Sequence, residues 1–149
     1  MNTRAELLEI IRKRSFQTAG APYVLASGKT SDYYLDCKMT TLRDPRGREL
    51  SCQMIYDIVR SMKPRPDAIG GLSIGAVPLS LGVSDRALDD DWIFPAFVVR
   101  DEQKNHGTMK TVEGTILPGA NVVVVDDVMT TGGSVLKAIR AAEHHGAQI

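Results

Sequence analysis

Cysteine is scarce in this chain: Cys37 and Cys52 are the only thiols among 149 residues. Two cysteines without a Cys-x-x-Cys spacing exclude a disulfide framework and a structural zinc site, and are expected as buried reduced thiols in a reducing, cytoplasmic compartment. Nor is there an excess charge of either sign. The 18 basic and 18 acidic residues cancel and the pI is near 6.8, so no global field draws the protein to nucleic acid or to an anionic membrane. No apolar run approaches the ~20 residues of a membrane span, and Glu6 and Glu9 interrupt the N-terminal apolar residues where a signal peptide would carry none. Repeats and low-complexity segments are missing too. So are the Gly-x-x-x-x-Gly-Lys-Ser/Thr and Gly-x-Gly-x-x-Gly patterns, which argues against generic nucleotide binding.

The length suits a single domain, residues 1–149, with one main core. Thr3 and Glu6 form a Thr-x-x-Glu capping box ahead of Leu7, Leu8, Ile10 and Ile11, whose three-and-four spacing predicts an amphipathic helix. Short apolar runs between residues 23 and 36, broken by turn formers at 26–31, predict a hairpin. Asp44 before Pro45 suits an N-cap and first turn, and the stripe Leu50, Met54, Ile55, Ile58, Val59 and Met62 continues that helix until Pro64 and Pro66. Strands are expected at 68–72, 93–99 and 121–125, with helices at 77–88 and 134–145 between and after them; His144 and His145 are expected on helix surface. Continuous apolar strands separated by helices imply an α/β fold with a parallel sheet buried on both faces. The chain stops at Gly146-Ala147-Gln148-Ile149, just where another apolar strand is expected to begin. That reads as a domain missing its C-terminal strands and helix.

One segment carries chemistry in every part. Val122-Val123-Val124-Val125-Asp126-Asp127-Val128-Met129-Thr130-Thr131-Gly132-Gly133-Ser134 is a buried strand, two carboxylates, a hydroxyl- and glycine-rich loop, and a helix start. Backbone N–H groups at a helix N-terminus lack partners and the dipole there is positive, so the loop around Gly132 and Gly133 can wrap a phosphate. Thr130, Thr131 and Ser134 add hydroxyl donors. Paired carboxylates at the carboxyl end of a strand can accept hydrogen bonds from vicinal hydroxyls, which suits Asp126 and Asp127 to a ribose. An ordinary strand-to-helix turn would explain Thr-Gly-Gly-Ser alone, but not all of these parts in order.

The segment resembles the binding motif of type I phosphoribosyltransferases for 5-phosphoribosyl-1-pyrophosphate (PRPP). Tyr23-Val24-Leu25-Ala26-Ser27-Gly28-Lys29-Thr30-Ser31-Asp32-Tyr33-Tyr34-Leu35-Asp36 is similar to the N-terminal hairpin signature of orotate phosphoribosyltransferases. Arg100-Asp101-Glu102-Gln103-Lys104-Asn105-His106-Gly107-Thr108 is similar to their catalytic loop, with Glu113-Gly114 following, and the turn containing Ser73 and Gly75 matches their pyrophosphate-contacting turn. The resemblance implies a parallel-sheet type I phosphoribosyltransferase fold with an N-terminal helix and hairpin hood. It implies transfer of the phosphoribosyl group to orotate, giving orotidine monophosphate and pyrophosphate in pyrimidine biosynthesis.

The roles that follow are equally specific. Asp126 and Asp127 would hold the ribose hydroxyls, the loop Thr130, Thr131, Gly132, Gly133 and Ser134 the 5-phosphate, and Arg100, Lys104, His106, Ser73 and Gly75 the pyrophosphate, with Val128 and Met129 also binding PRPP. Lys104, His106, Asp126 and Asp127 would be catalytic, and Thr130, Tyr33 and Tyr34 would face orotate; for the tyrosines, packing of the hairpin on the core is an even alternative. Magnesium is implied as cofactor, held mainly by PRPP rather than by a dedicated ligand set. A homodimer with shared sites is implied because the family's loop reaches the neighbouring subunit's site. Two positions depart from the family, Asp101 and Ala26, where members carry lysine; each removes positive charge near a polyanion, and Asp101 is expected to weaken binding. The alternatives are a phosphoribosyltransferase for another base, or a catalytically weak PRPP-binding regulator. The expected truncation would remove the segment in which members place an arginine for orotate's carboxylate.

Overall fold

The computed structural model describes residues 2–24, 28–101 and 111–149. Helix α1, Thr3–Arg14, is capped by Asn2, whose side chain accepts from the Arg4 amide at 3.0 Å. Thr3 is therefore not the cap. Glu6 does not reach back to close a capping box either, because Arg46 offers a stronger, bidentate partner, with Nε to Oε1 at 2.7 Å and Nη2 to Oε2 at 2.8 Å. No residue of α1 is fully buried; its stripe is only half-covered, with Leu8 64% exposed.

Strands β1, Phe16–Val24, and β2, Thr30–Leu35, form the expected hairpin, antiparallel with an irregularity between Thr18 and Tyr23. A short helix α2, Lys38–Thr41, follows, too brief for any periodicity to show in the sequence. Helix α3, Pro45–Val59, begins as expected: Asp44 accepts from the Gly47 amide and Pro45 occupies the first turn. It ends before Met62 and the prolines.

Strand β3, Ala68–Leu72, helix α4, Val77–Ala87, a 3-10 turn Leu88–Asp90, strand β4, Ala96–Val99, strand β5, Val112–Glu113, strand β6, Val122–Val124, and helix α5, Gly133–His144, complete the order. The four-stranded sheet runs β5-β4-β3-β6. β3 is parallel to both β4 and β6, while β5 is antiparallel to β4. Beyond β6, Asn121 and Gln148 form a parallel bridge. β5 is the strand the polar stretch after Arg100 did not reveal: two residues carry no pattern, and Val112 is buried by pairing with Val99 rather than by its neighbours in sequence.

Each sheet face has its own core, as uninterrupted apolar strands require. On one face Ile69 meets Val59, Leu79, Val83, Trp92 and Phe94. On the other Leu72, Phe97, Val99 and Val122 meet Ala138, Ala142 and Ala147. The small residues of β3 let the strands close up. A Cβ on Gly71 would stand 2.2 Å from the Val125 carbonyl oxygen and 2.7 Å from Ala76 Cβ, and neither atom can swing away. Gly71→Ala is accordingly expected to destabilise the protein by about 1–3 kcal/mol, the usual penalty of overpacking a core, readable as a lower urea midpoint.

Candidate active site at the carboxyl edge of the sheet

β3 and β6 deliver their last residues side by side. The Val125 amide donates to Gly70 O at 2.8 Å just past the end of β6, and the chain then leaves the sheet as Asp126 and Asp127. The Asp127 amide donates to Asp126 Oδ1 at 3.0 Å, fixing one carboxylate against the backbone. Across from them lies the turn after β3. A Cβ on Gly75 would be 2.3 Å from Asp127 Oδ1 and 2.9 Å from Asp126 Oδ1, so the turn and the carboxylates touch and only glycine fits between them. Ser73 is anchored beside them by donating its amide to Val99 O at 2.8 Å.

The loop behind the carboxylates turns through Gly132, whose φ of 81° lies in the left-handed region that favours glycine. α5 starts there without a side-chain cap. Among the described residues, no carbonyl or side chain accepts from the amides of residues 130–134. Thr130, Thr131, Gly133 and Ser134 are exposed. A free set of N–H groups at a helix N-terminus, next to hydroxyls, is an anion cradle.

Burial, and then the charge of its neighbour Asp127, push the Asp126 carboxyl above its ordinary value; the Lys38 cation acts in the opposite sense. A carboxyl raised in the folded state favours folding when protonated. That contribution is present below the ordinary value of 3.8 and is lost as pH rises through the raised value. At neutral pH the ionised pair therefore strains the unliganded protein. Asp126→Asn, which keeps the oxygen that accepts from Asp127, is expected to melt higher than the parent at pH 7, with the difference shrinking as pH falls through that window. A melting gap independent of pH would remove the carboxylate repulsion.

Lys38 is a member of this site that the sequence reading missed. Its Nζ lies 3.1 Å from Asp36 Oδ1, and that bond, with the charges of Asp127 and Tyr34, holds its pKa above the ordinary lysine value against partial burial. No local pattern in the sequence marks it. Tyr33 and Tyr34, adjacent on β2, face opposite sides of the hairpin: Tyr33 stacks on Phe16 at 5.5 Å between centroids, and Tyr34 sits 5.6 Å from Tyr23. Of the two, Tyr34 is the one that acts on Lys38. Cys37 and Cys52 are free and buried, with burial pushing both thiols up to about 11.

Arg100 follows β4 directly and, with Ser73, Val98, Asp101 and Glu113, lines a cleft of about 490 Å³. Its Nη2 is 2.6 Å from Glu113 Oε1, while its buried Nε has no partner. Asp101 is countered by Lys137 of α5, which reaches its Oδ1 at 2.7 Å and its backbone carbonyl as well. The negative charge at the position where the resembling family has lysine is thus neutralised from another element. Lys104, His106 and Ala26 lie outside the described residues. The structure thus brings Ser73, Gly75, Asp126 and Asp127 together, and places Arg100 with Ser73.

A model of the phosphoribosyl transferase domain matches residues 41–149, and phosphoribosyl transfer is the class that this sheet edge and cradle define. An orotate phosphoribosyltransferase of Aquifex aeolicus is 41% identical over 100% of this chain and 80% of its own length. The Mycobacterium tuberculosis enzyme of the same name, solved in complex with Fe(III) dicitrate, superposes with a TM-score of 0.79 at 32% identity over 98% of this chain and 79% of that one. Its complex with PRPP gives a TM-score of 0.73 at 30% identity, over 98% and 77%. The chain belongs to the orotate phosphoribosyltransferase family.

Proposed function

We propose that this protein transfers the phosphoribosyl group of PRPP to orotate, giving orotidine 5′-monophosphate and pyrophosphate in pyrimidine biosynthesis. The observation that carries the reading is the unpartnered amide cradle of residues 130–134 directly after the Asp126 and Asp127 carboxylates. One site then takes both ends of a ribose phosphate. Asp126 and Asp127 accept from the ribose hydroxyls, and the cradle with Thr130, Thr131 and Ser134 holds the 5-phosphate. Orotate's ring nitrogen forms a bond to the anomeric carbon, with inversion, as the bond from that carbon to the pyrophosphate oxygen breaks.

The protein's share of the work is positioning and charge stabilisation. Arg100, Lys104 and His106, with the Ile74 and Gly75 amides of the turn after Ser73, meet the growing charge on pyrophosphate, and His106 donates a proton to it. Thr130 and Tyr34 face the orotate ring, and Tyr33 supports the hood through Phe16. Magnesium suits this donor set. Two ionised carboxylates side by side, one with a raised pKa, favour a ligand that arrives with a cation, and Asp126 and Asp127 would meet the ribose hydroxyls of magnesium-bound PRPP. When bound, the ion neutralises the leaving pyrophosphate.

A homodimer with shared sites belongs to the same reading, with exposed apolar side chains such as Ile74, Leu81 and Leu88 available to an interface. A cytoplasmic location is supported by the two free, buried thiols. Among the described residues no helix is long and apolar enough to cross a membrane. The regulator reading rested on Asp101, and Lys137 removes that support by pairing with it.

Incubation with PRPP, magnesium and each of orotate, uracil, adenine, guanine and hypoxanthine tests the proposal. Pyrophosphate release with orotate alone is expected. Release only with a purine would overturn the substrate.

A further inference from the structure

Strand β5 holds Arg100 by both its backbone and its side chain. The Arg100 amide donates to Thr111 O at 2.9 Å, and the guanidinium Nη2 lies 2.6 Å from Glu113 Oε1. β5 itself is laddered to β4, with Val112 opposite Val99 and Glu113 opposite Val98. Side chains alternate along a strand: Val112 is buried, and Glu113 turns the other way to line the same cleft as Ser73 and Arg100. A carboxylate there is a puzzle, because it repels any polyanion that enters. Charge alone predicts that the cleft would hold pyrophosphate better without Glu113.

The geometry points to Glu113 as a positioning residue, which holds Arg100 in the orientation that receives pyrophosphate. A guanidinium is a planar fork with five N–H donors on a long stem. A ligand that must first order such a side chain binds more weakly than one that finds it ordered. The charge-assisted contact at 2.6 Å orders the fork while engaging a single nitrogen, so donors remain for a ligand. Because Glu113 stands on paired strand, the fork is referenced to the sheet rather than to another mobile side chain. The side chains are 28% and 50% exposed, so the pair adds little to stability and its use lies in the cleft. The inference rests on the assignment of Arg100 to pyrophosphate, and not on orotate as the acceptor.

Titration calorimetry with magnesium pyrophosphate, and separately with ribose 5-phosphate, tests it. Glu113→Ala is expected to weaken pyrophosphate at least fivefold while ribose 5-phosphate stays within twofold of the parent. Glu113→Gln, whose amide oxygen still accepts from Arg100, should restore pyrophosphate to within twofold. Added to Arg100→Ala, Glu113→Ala should weaken it no further, since Glu113 acts through Arg100. In turnover, Glu113→Ala should raise KM for PRPP and leave KM for orotate unchanged. If Glu113→Ala does not fold, Glu113→Thr replaces it, a residue that suits a strand and is too short to reach the guanidinium. Pyrophosphate binding that is absent in the parent, or unchanged or tighter in Glu113→Ala, would overturn the inference. So would an equal loss for ribose 5-phosphate, or a further loss in the double variant. The pyrophosphate probe contains no base, so failure of the orotate assignment would leave these binding outcomes standing.

Discussion

Replacing Asp127 with asparagine is expected to raise the dissociation constant for magnesium-bound PRPP by about 10- to 150-fold while leaving the protein folded. The estimate follows from the ~1.5–3 kcal/mol typical of a hydrogen bond to a charged group, at ~1.4 kcal/mol per factor of ten. Asparagine keeps the shape of the side chain, so the contact with the Gly75 turn survives. What it loses is one ionised acceptor for a ribose hydroxyl. Thermal stability should not fall, because the charge removed is one that raises the pKa of Asp126. Calorimetric titration with PRPP, alongside a melting curve, separates the two effects. Unaltered affinity would place the ribose elsewhere and detach the cradle from the carboxylates.

What the sequence disclosed and what it hid divide along a physical line. Ala68–Leu72, the Asp44 cap and the strand into Asp126 were legible because each is written in consecutive residues: an apolar run, a cap before proline, a strand ending in carboxylates. Features set by partners distant in the chain were not. Glu6 left its expected capping box for Arg46, 40 residues away, and Asp101 found Lys137, 36 residues away. The second of these matters for function. A carboxylate replacing lysine beside a polyanion reads as a defect until its counter-charge is seen to come from α5. Lys38 was hidden for the same reason. Its place near Asp127 is a consequence of where the hairpin sits, which no local pattern states.

Gly75 shows the converse. The sequence marked it as part of a small-residue turn, and the structure supplies the reason: 2.3 Å of room to Asp127 Oδ1. The turn and the carboxylate pair are therefore one unit, and a displacement of either displaces the other.

Lys104→Ala is expected to lower kcat by about 10²- to 10³-fold, the range seen when one donor to a developing charge is removed, with a smaller change in KM and no change in melting temperature. The reasoning joins a sequence motif to the cleft beside it. Ser73 and Arg100 line that cleft, but Arg100 spends one nitrogen on Glu113 at 2.6 Å, and Lys137 is spent on Asp101. Among the described residues, little cationic charge is therefore left there for a leaving group whose negative charge grows as its bond to the anomeric carbon breaks. Lys104, four positions beyond Arg100 in Arg-Asp-Glu-Gln-Lys, is the cation the motif supplies for that demand. Because the charge is called upon most in the transition state, its removal should appear in kcat and kcat/KM together. A rise in KM alone would make Lys104 a binding residue, and unchanged kinetics would exclude it from the reaction.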